Sequence, residues 1–193
     1  MEDLCRRIEA FFAALSESGA VDVYAEELEP SSAEDIAALE AGLGVTLPAD
    51  VKAWLARGCR TYVGSVDEPF AGIGFSFLAA SRALEHTKML REAAAASGEH
   101  ADLVRSGVAL SYEEPELLWA PSGVYSFSFR NPIHKVASSF TELLEGWLAS
   151  GCFSSHDFEA AWEKTRAFVP EGSVSPDKNP WVVAYRALHD ADG

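Results

Sequence analysis

The chain has 193 residues, 48% of them hydrophobic and 11% aromatic, which is enough for one domain with a substantial core and excludes a globally disordered chain. Its formal charge is −15; residues 1–50 hold 12 acids and 2 bases, and the other 143 hold 18 and 13. A chain this acidic repels nucleic-acid phosphates and anionic lipid headgroups, which argues against both as direct partners, and it attracts basic proteins. The same acidity keeps a protein soluble without any partner.

The N-terminus does not read as a signal peptide, because Glu2, Asp3, Arg6, Arg7 and Glu9 break its apolar residues. No run approaches the roughly 20 apolar residues that span a bilayer. Cys5, Cys59 and Cys152 are odd in number and widely spaced. They are expected to be free, mostly buried thiols in a reducing cytoplasm.

In chain order, Leu4, Ile8, Phe11, Phe12 and Leu15 mark one helical face that stops before Ser18-Gly19. An acidic linker follows from Asp22 to Pro30, irregular or holding a short strand. Ser31 and Glu34 have capping-box spacing, and Ile36, Leu39 and Leu43 continue as a helix closed by Gly44. Pro48 is placed at the first position of a second helix, whose buried side is Val51, Trp54 and Leu55 and whose stop is Gly58. Residues 33–58 therefore predict a helical hairpin.

The period then changes. Ile73, Phe75 and Phe77 alternate with small residues as a strand with one buried face. Ser81–Ala96 predicts an alanine-rich helix running into a mobile loop at Ser97–His100. Val108–Tyr112, Leu117–Trp119, Val124–Phe129 and Ile133–Ala137 predict further strands. The third of these puts Tyr125, Phe127 and Phe129 on one face and Ser126 and Ser128 on the other. Ser139 and Glu142 repeat the capping-box spacing before Phe140, Leu143, Leu144, Trp147 and Leu148, a helix over 139–150 stopped by Gly151. Two more helices are expected, around Phe158 and Trp162 and around Trp181, Ala184, Tyr185 and Leu188. Pro170–Pro180 joins them as a linker. Strands in a block with helices at both ends predict an α+β fold, with a mostly antiparallel sheet flanked by helices.

Two stretches carry a family likeness. Ala33–Leu55, AEDIAALEAGLGVTLPADVKAWL, resembles the helical-hairpin signature of the SUKH superfamily through Ile36, Leu39, Glu40, Leu43, Gly44, Leu47, Pro48, Asp50 and Leu55. Val51 departs from it, standing where an aromatic is usual, and Trp54 fills a position often held by Phe. Ala137–Leu148, ASSFTELLEGWL, is similar to the superfamily's closing segment, where a strand leads through Ser-Phe into an amphipathic helix. The likeness covers about residues 30–150. It implies a SUKH-like α+β domain, expected to occupy 1–152. The helices after Gly151 lie outside the matched part and are expected to form a C-terminal extension over 153–193 packed on that domain. Members include bacterial immunity proteins that block a cognate toxin, often a nuclease, and fungal regulators of cell-wall synthesis. None of the matched positions is catalytic in the family.

There is no GxSxG elbow, no GxGxxG and no GxxxxGK[ST]. Cys152 and His156 could form a nucleophile–base pair, but a lone C-x-x-x-H after a helix stop is more often chance. His156-Asp157 and His189-Asp190 lack the further ligands of a metal site, and His86, His100 and His134 lack ligand spacing. Glu113, Glu114 and Glu116 read as a solvated acidic turn sooner than as paired catalytic carboxylates. No enzyme, cofactor or metal is expected.

The leading expectation is a cytoplasmic immunity-type protein that binds and neutralises a basic protein toxin. The alternative is a non-catalytic regulatory or scaffold module that binds a cellular protein. Proteins that block basic nucleases do so with carboxylates and aromatic anchors. The candidate partner-binding residues are Glu26, Glu27, Glu29, Glu34 and Asp35 in the acidic linker and first turn. Tyr112, Glu113, Glu114, Glu116 and Trp119 add a second group around a strand loop, with Tyr125 as a further possible anchor. Arg82, Lys88 and Arg91 suggest a local basic stripe on the Ser81–Ala96 helix.

Overall fold

In the computed structural model the strand-period and helix-period segments resolve into an α+β fold. The structure describes residues 1–19, 22–26, 30–58, 61–66, 71–75, 77–111, 116–127, 133–152, 162–163, 165–169, 173–180 and 182–184; for 22–26, 61–66 and 71–75 it describes the backbone alone. The chain divides into two compact units. One comprises Met1–Glu26, Arg60–Phe75 and Thr141–Gly193; the other comprises Glu27–Cys59 and Ser76–Phe140.

The first unit opens with α1 (Glu2–Ser18), ended by Gly19 in the left-handed region at φ 66°. All the apolar positions named for it are buried, and Cys5 joins them. Phe12 lies 6.1 Å from Trp147, ring centre to ring centre. β1 (Asp22–Glu26), β2 (Thr61–Val66) and β3 (Ala71–Phe75) form a three-stranded antiparallel sheet in the order β1-β2-β3. Trp147 comes from α6 (Phe140–Ala149), which also buries Leu143, Leu144 and Leu148.

Part of the expected linker Pro170–Pro180 is held down instead. The Val174 amide donates to the Ala149 carbonyl at 2.8 Å, and the buried Asn179 side chain donates to Gly146 O and Ser150 Oγ. Short 3₁₀ turns occupy Arg166–Phe168 and Pro176–Lys178. The segments around Phe158 and Leu188 lie outside the described residues.

The second unit carries α2 (Ala33–Leu43), α3 (Ala49–Arg57), α4 (Ala80–Ser97), α5 (Ala101–Ser106) and a sheet of β4 (Val108–Ala109), β5 (Glu116–Ala120), β6 (Gly123–Phe127) and β7 (His134–Ala137). The sheet is an antiparallel meander in the order β4-β5-β6-β7. Trp54, Phe77 and Phe140 meet edge to face at centroid distances of 4.9, 5.4 and 5.9 Å, an arrangement that suits the ring quadrupoles.

Buried polar groups here are spent on joining elements, as burial demands. Thr87 Oγ1, on α4, donates to Ala83 O and accepts the Ala109 amide of β4. Ser111 Oγ accepts the Leu117 amide. On β6 the Ser126 side is covered as fully as the Phe127 side, with both residues buried.

Three local expectations need correction. The capping box is Ser32 with Asp35, one residue beyond Ser31 and Glu34. Ser31 is buried and its hydroxyl is already committed to the Ala80 amide at 3.0 Å, so its neighbour caps the helix. Pro48 is the extended N-cap of α3, at φ −70° and ψ 161°, with Ala49 as the first helical residue. After α4 the chain makes a turn through Gly98 and His100, both at positive φ, and then enters α5, where only a loop and a strand were expected.

Among the described residues no helix is long and apolar enough to cross a membrane. Cys5 and Cys152 are both buried; Cys59 lies outside the described residues.

Candidate functional site

The stretch that carries the family likeness folds as a clasped elbow. Ile36, Leu39, Leu43, Leu47, Val51 and Leu55 are all buried, and Gly44 takes φ 67° where α2 ends. Glu40 closes the clasp: its Oε1 accepts the Leu47 amide at 2.7 Å and lies 2.7 Å from Lys52 Nζ. The Lys52 hydrogen bond, and then the Leu47 amide, hold the Glu40 carboxyl below the usual carboxylate range.

Lys52 is partly exposed, so most of the clasp's value lies in the amide contact. Glu40→Ala is expected to destabilise the fold by about 1 kcal/mol at neutral pH. Because folding depresses this carboxyl, its contribution is present above the ordinary glutamate value, about 4.3, and is lost as pH falls through the folded value. Urea titrations of both proteins should show the difference between them shrinking below about pH 4.

α4 presents three different faces. Inward, Ala83, Thr87, Leu90 and Ala94 are buried. To one side Arg91 reaches three backbone carbonyls, Leu43 O at 2.8 Å and Val104 O and Gly107 O at 3.3 Å each. It is therefore no part of a surface stripe; burial lowers its pKa, while Arg82 and Lys88 remain exposed. Outward, Arg82, Glu85, His86 and Met89, together with Leu78 just before the helix, line an open groove of about 330 Å³. His86 Nε2 sits 2.9 Å from Glu116 Oε2, the two side chains being 23% and 17% exposed.

A second groove, of about 470 Å³, runs between the elbow residues Gly44–Thr46, the α5 residues Asp102, Arg105 and Ser106, and the hairpin residues Trp119 and Pro121. Trp119 is only 7% exposed. Glu116 and Trp119 are three residues apart on β5, so they leave the strand on opposite faces of the sheet. Glu116 is the first residue of that strand, and its carboxylate meets a histidine 30 positions upstream.

The remaining sequence candidates fall as follows. Glu34 and Asp35 are exposed in the first turn of α2, where Asp35 also serves the capping box by accepting from the Ser32 amide and hydroxyl. Glu26 ends β1 opposite Thr61. Tyr125 is half-buried, with its hydroxyl 2.8 Å from Ser122 Oγ. Glu27, Glu29, Tyr112, Glu113 and Glu114 lie outside the described residues.

Cys152 is fully buried, and desolvation pushes its thiol well above the ordinary value, opposite to the activation a nucleophile needs. Among the described residues no cluster of three or more His, Cys, Asp or Glu is placed to hold a metal ion.

His86 and Met89 form a site feature that sequence reading missed. The available signal was a methionine among alanines on a helix, three residues after a histidine and four after a glutamate, which helical geometry places on one face. Comparison with family models, with curated proteins and with solved structures returned no match.

Proposed function

We propose that this chain is a SUKH-type binding protein of the immunity class, which neutralises a basic bacterial toxin by direct contact. The observation that carries the reading is the elbow. Of the residues that give Ala33–Leu55 its likeness to that superfamily, Ile36, Leu39, Leu43, Leu47 and Leu55 are buried, Glu40 clasps the α2–α3 hairpin and Gly44 turns it. The Glu40 carboxylate is spent on the Leu47 amide and on Lys52. The net charge of −15 supports a basic partner, since such a field accelerates encounter with a cationic surface and disfavours an anionic one.

The test is co-expression and affinity capture with the toxin encoded beside the gene. A one-to-one complex and restored growth of toxin-expressing cells are expected. A chain that neither binds nor protects against a neighbouring toxin overturns the reading. Purification of a resident cellular protein in its place would assign the chain to the regulatory class.

A further inference from the structure

Met89 is the most exposed large hydrophobic residue among those described, at 63%. It lines the groove together with Leu78, Arg82, Glu85 and His86. An exposed methionine beside a concavity is a soft, adaptable contact for another molecule's side chain. A second copy of this chain is a poor occupant, because it would bring −15 against −15.

Charge decides what suits the groove. Glu85 is on its wall, and Glu116 Oε2 lies 2.9 Å from the Nε2 of the lining residue His86. Among the described lining residues Arg82 carries the one opposing formal charge, and its pairing with Glu85 is a 3.4 Å contact between two largely exposed side chains, which is worth little.

We propose, resting on the binding reading above, that this groove receives a lysine or arginine side chain of the basic partner. The aliphatic stem lies along Leu78 and Met89, and the cation takes Glu85 from Arg82. Long cationic side chains combine an apolar stem with a charged head, and the groove offers a surface for each.

The chain supplies its own reporter, since its two methionines are Met1 and Met89. Protein labelled with ¹³C at the methionine methyl groups is titrated with acetyl-Gly-Arg-Gly-amide and, separately, with the glutamate counterpart. The Met89 methyl signal should move with the arginine peptide and not with the glutamate peptide, while Met1 stays still. Glu85→Gln should weaken binding about fivefold, and Arg82→Ala should strengthen it about threefold by removing the competitor.

A Met89 signal that is silent, or that follows the glutamate peptide, overturns the proposal, as does weaker binding in Arg82→Ala. The two readings fail separately. No complex between the unaltered chain and the toxin sinks the immunity reading while leaving the Met89 titration intact. Toxin binding that is indifferent to both substitutions, with Met89 unmoved by the peptide, sinks the groove alone.

Discussion

Replacing Gly123 by alanine is expected to destabilise the protein by about 3 kcal/mol or more, a large share of the 5–15 kcal/mol that holds a typical domain. Gly123 pairs with Ala120 across the two-residue Pro121-Ser122 loop that joins β5 to β6. Its φ is 141°, a backbone conformation that side chains rarely tolerate. Space is closed as well: an added Cβ would stand 2.5 Å from the Ala137 carbonyl oxygen and from Lys135 Cε. The lysine stem can swing away, but the carbonyl belongs to β7 and moves only with its strand.

The substitution therefore strikes the β5–β6 turn and the β6–β7 pairing together, next to the register shift between Val124 and Tyr125. A drop in Tm of about 10 °C follows for a chain of this size. Gly146→Ala is the control, because nothing lies within 4 Å of the Cβ position on that exposed helical residue. Similar melting of the two variants would show that the close approach at Gly123 is not rigid.

What could be read from the sequence follows from where its information lies. Helices with a one-sided apolar face, α1, α2, α3 and α6, were legible because their periodicity is local and burial enforces it. β2 was not: Thr61–Val66 is interrupted by Gly64 and shows no sustained alternation, and it becomes a strand between β1 and β3. α5 was missed because six residues fall below what local propensity can sustain. The capping register turned on a tertiary demand, the Ala80 amide's claim on Ser31, which no local pattern records.

The candidate site divides the same way. The expectation of a binding protein rested on the family likeness and the acidity, and nothing in the local sequence places Glu116 against His86 or leaves Met89 outside. An apolar residue on an alanine-rich helix reads as core until the helix's neighbours are known. Arg91 erred in the other direction, read as surface charge because arginine is mostly exposed.

That arginine carries the second large effect. Arg91→Met is expected to cost about 3 kcal/mol, although it keeps most of the aliphatic stem. The guanidinium donates to the carbonyls of Leu43, Val104 and Gly107, joining the end of α2 to α5 and to the residue that precedes β4. Carbonyls at helix C-termini lack intrahelical partners and carry the negative end of the dipole, so a planar cation with five N–H donors suits them. Removing it takes a donor from each of these partly buried acceptors, leaving Val104 O with the Gly107 amide, beside a Gly107 whose Cβ position is already 3.0 Å from Leu103 O, Leu118 Cγ and Trp119 O.

Arg91→Lys should recover less than half of the loss, because one ammonium cannot span three carbonyls on separate segments. Denaturant unfolding measures the cost, and amide exchange shows where it falls, with protection lost first across α5 at Ala101–Ser106. A loss under about 0.5 kcal/mol in Arg91→Met, the scale of a surface substitution, would mean that packing alone holds α4 to α5.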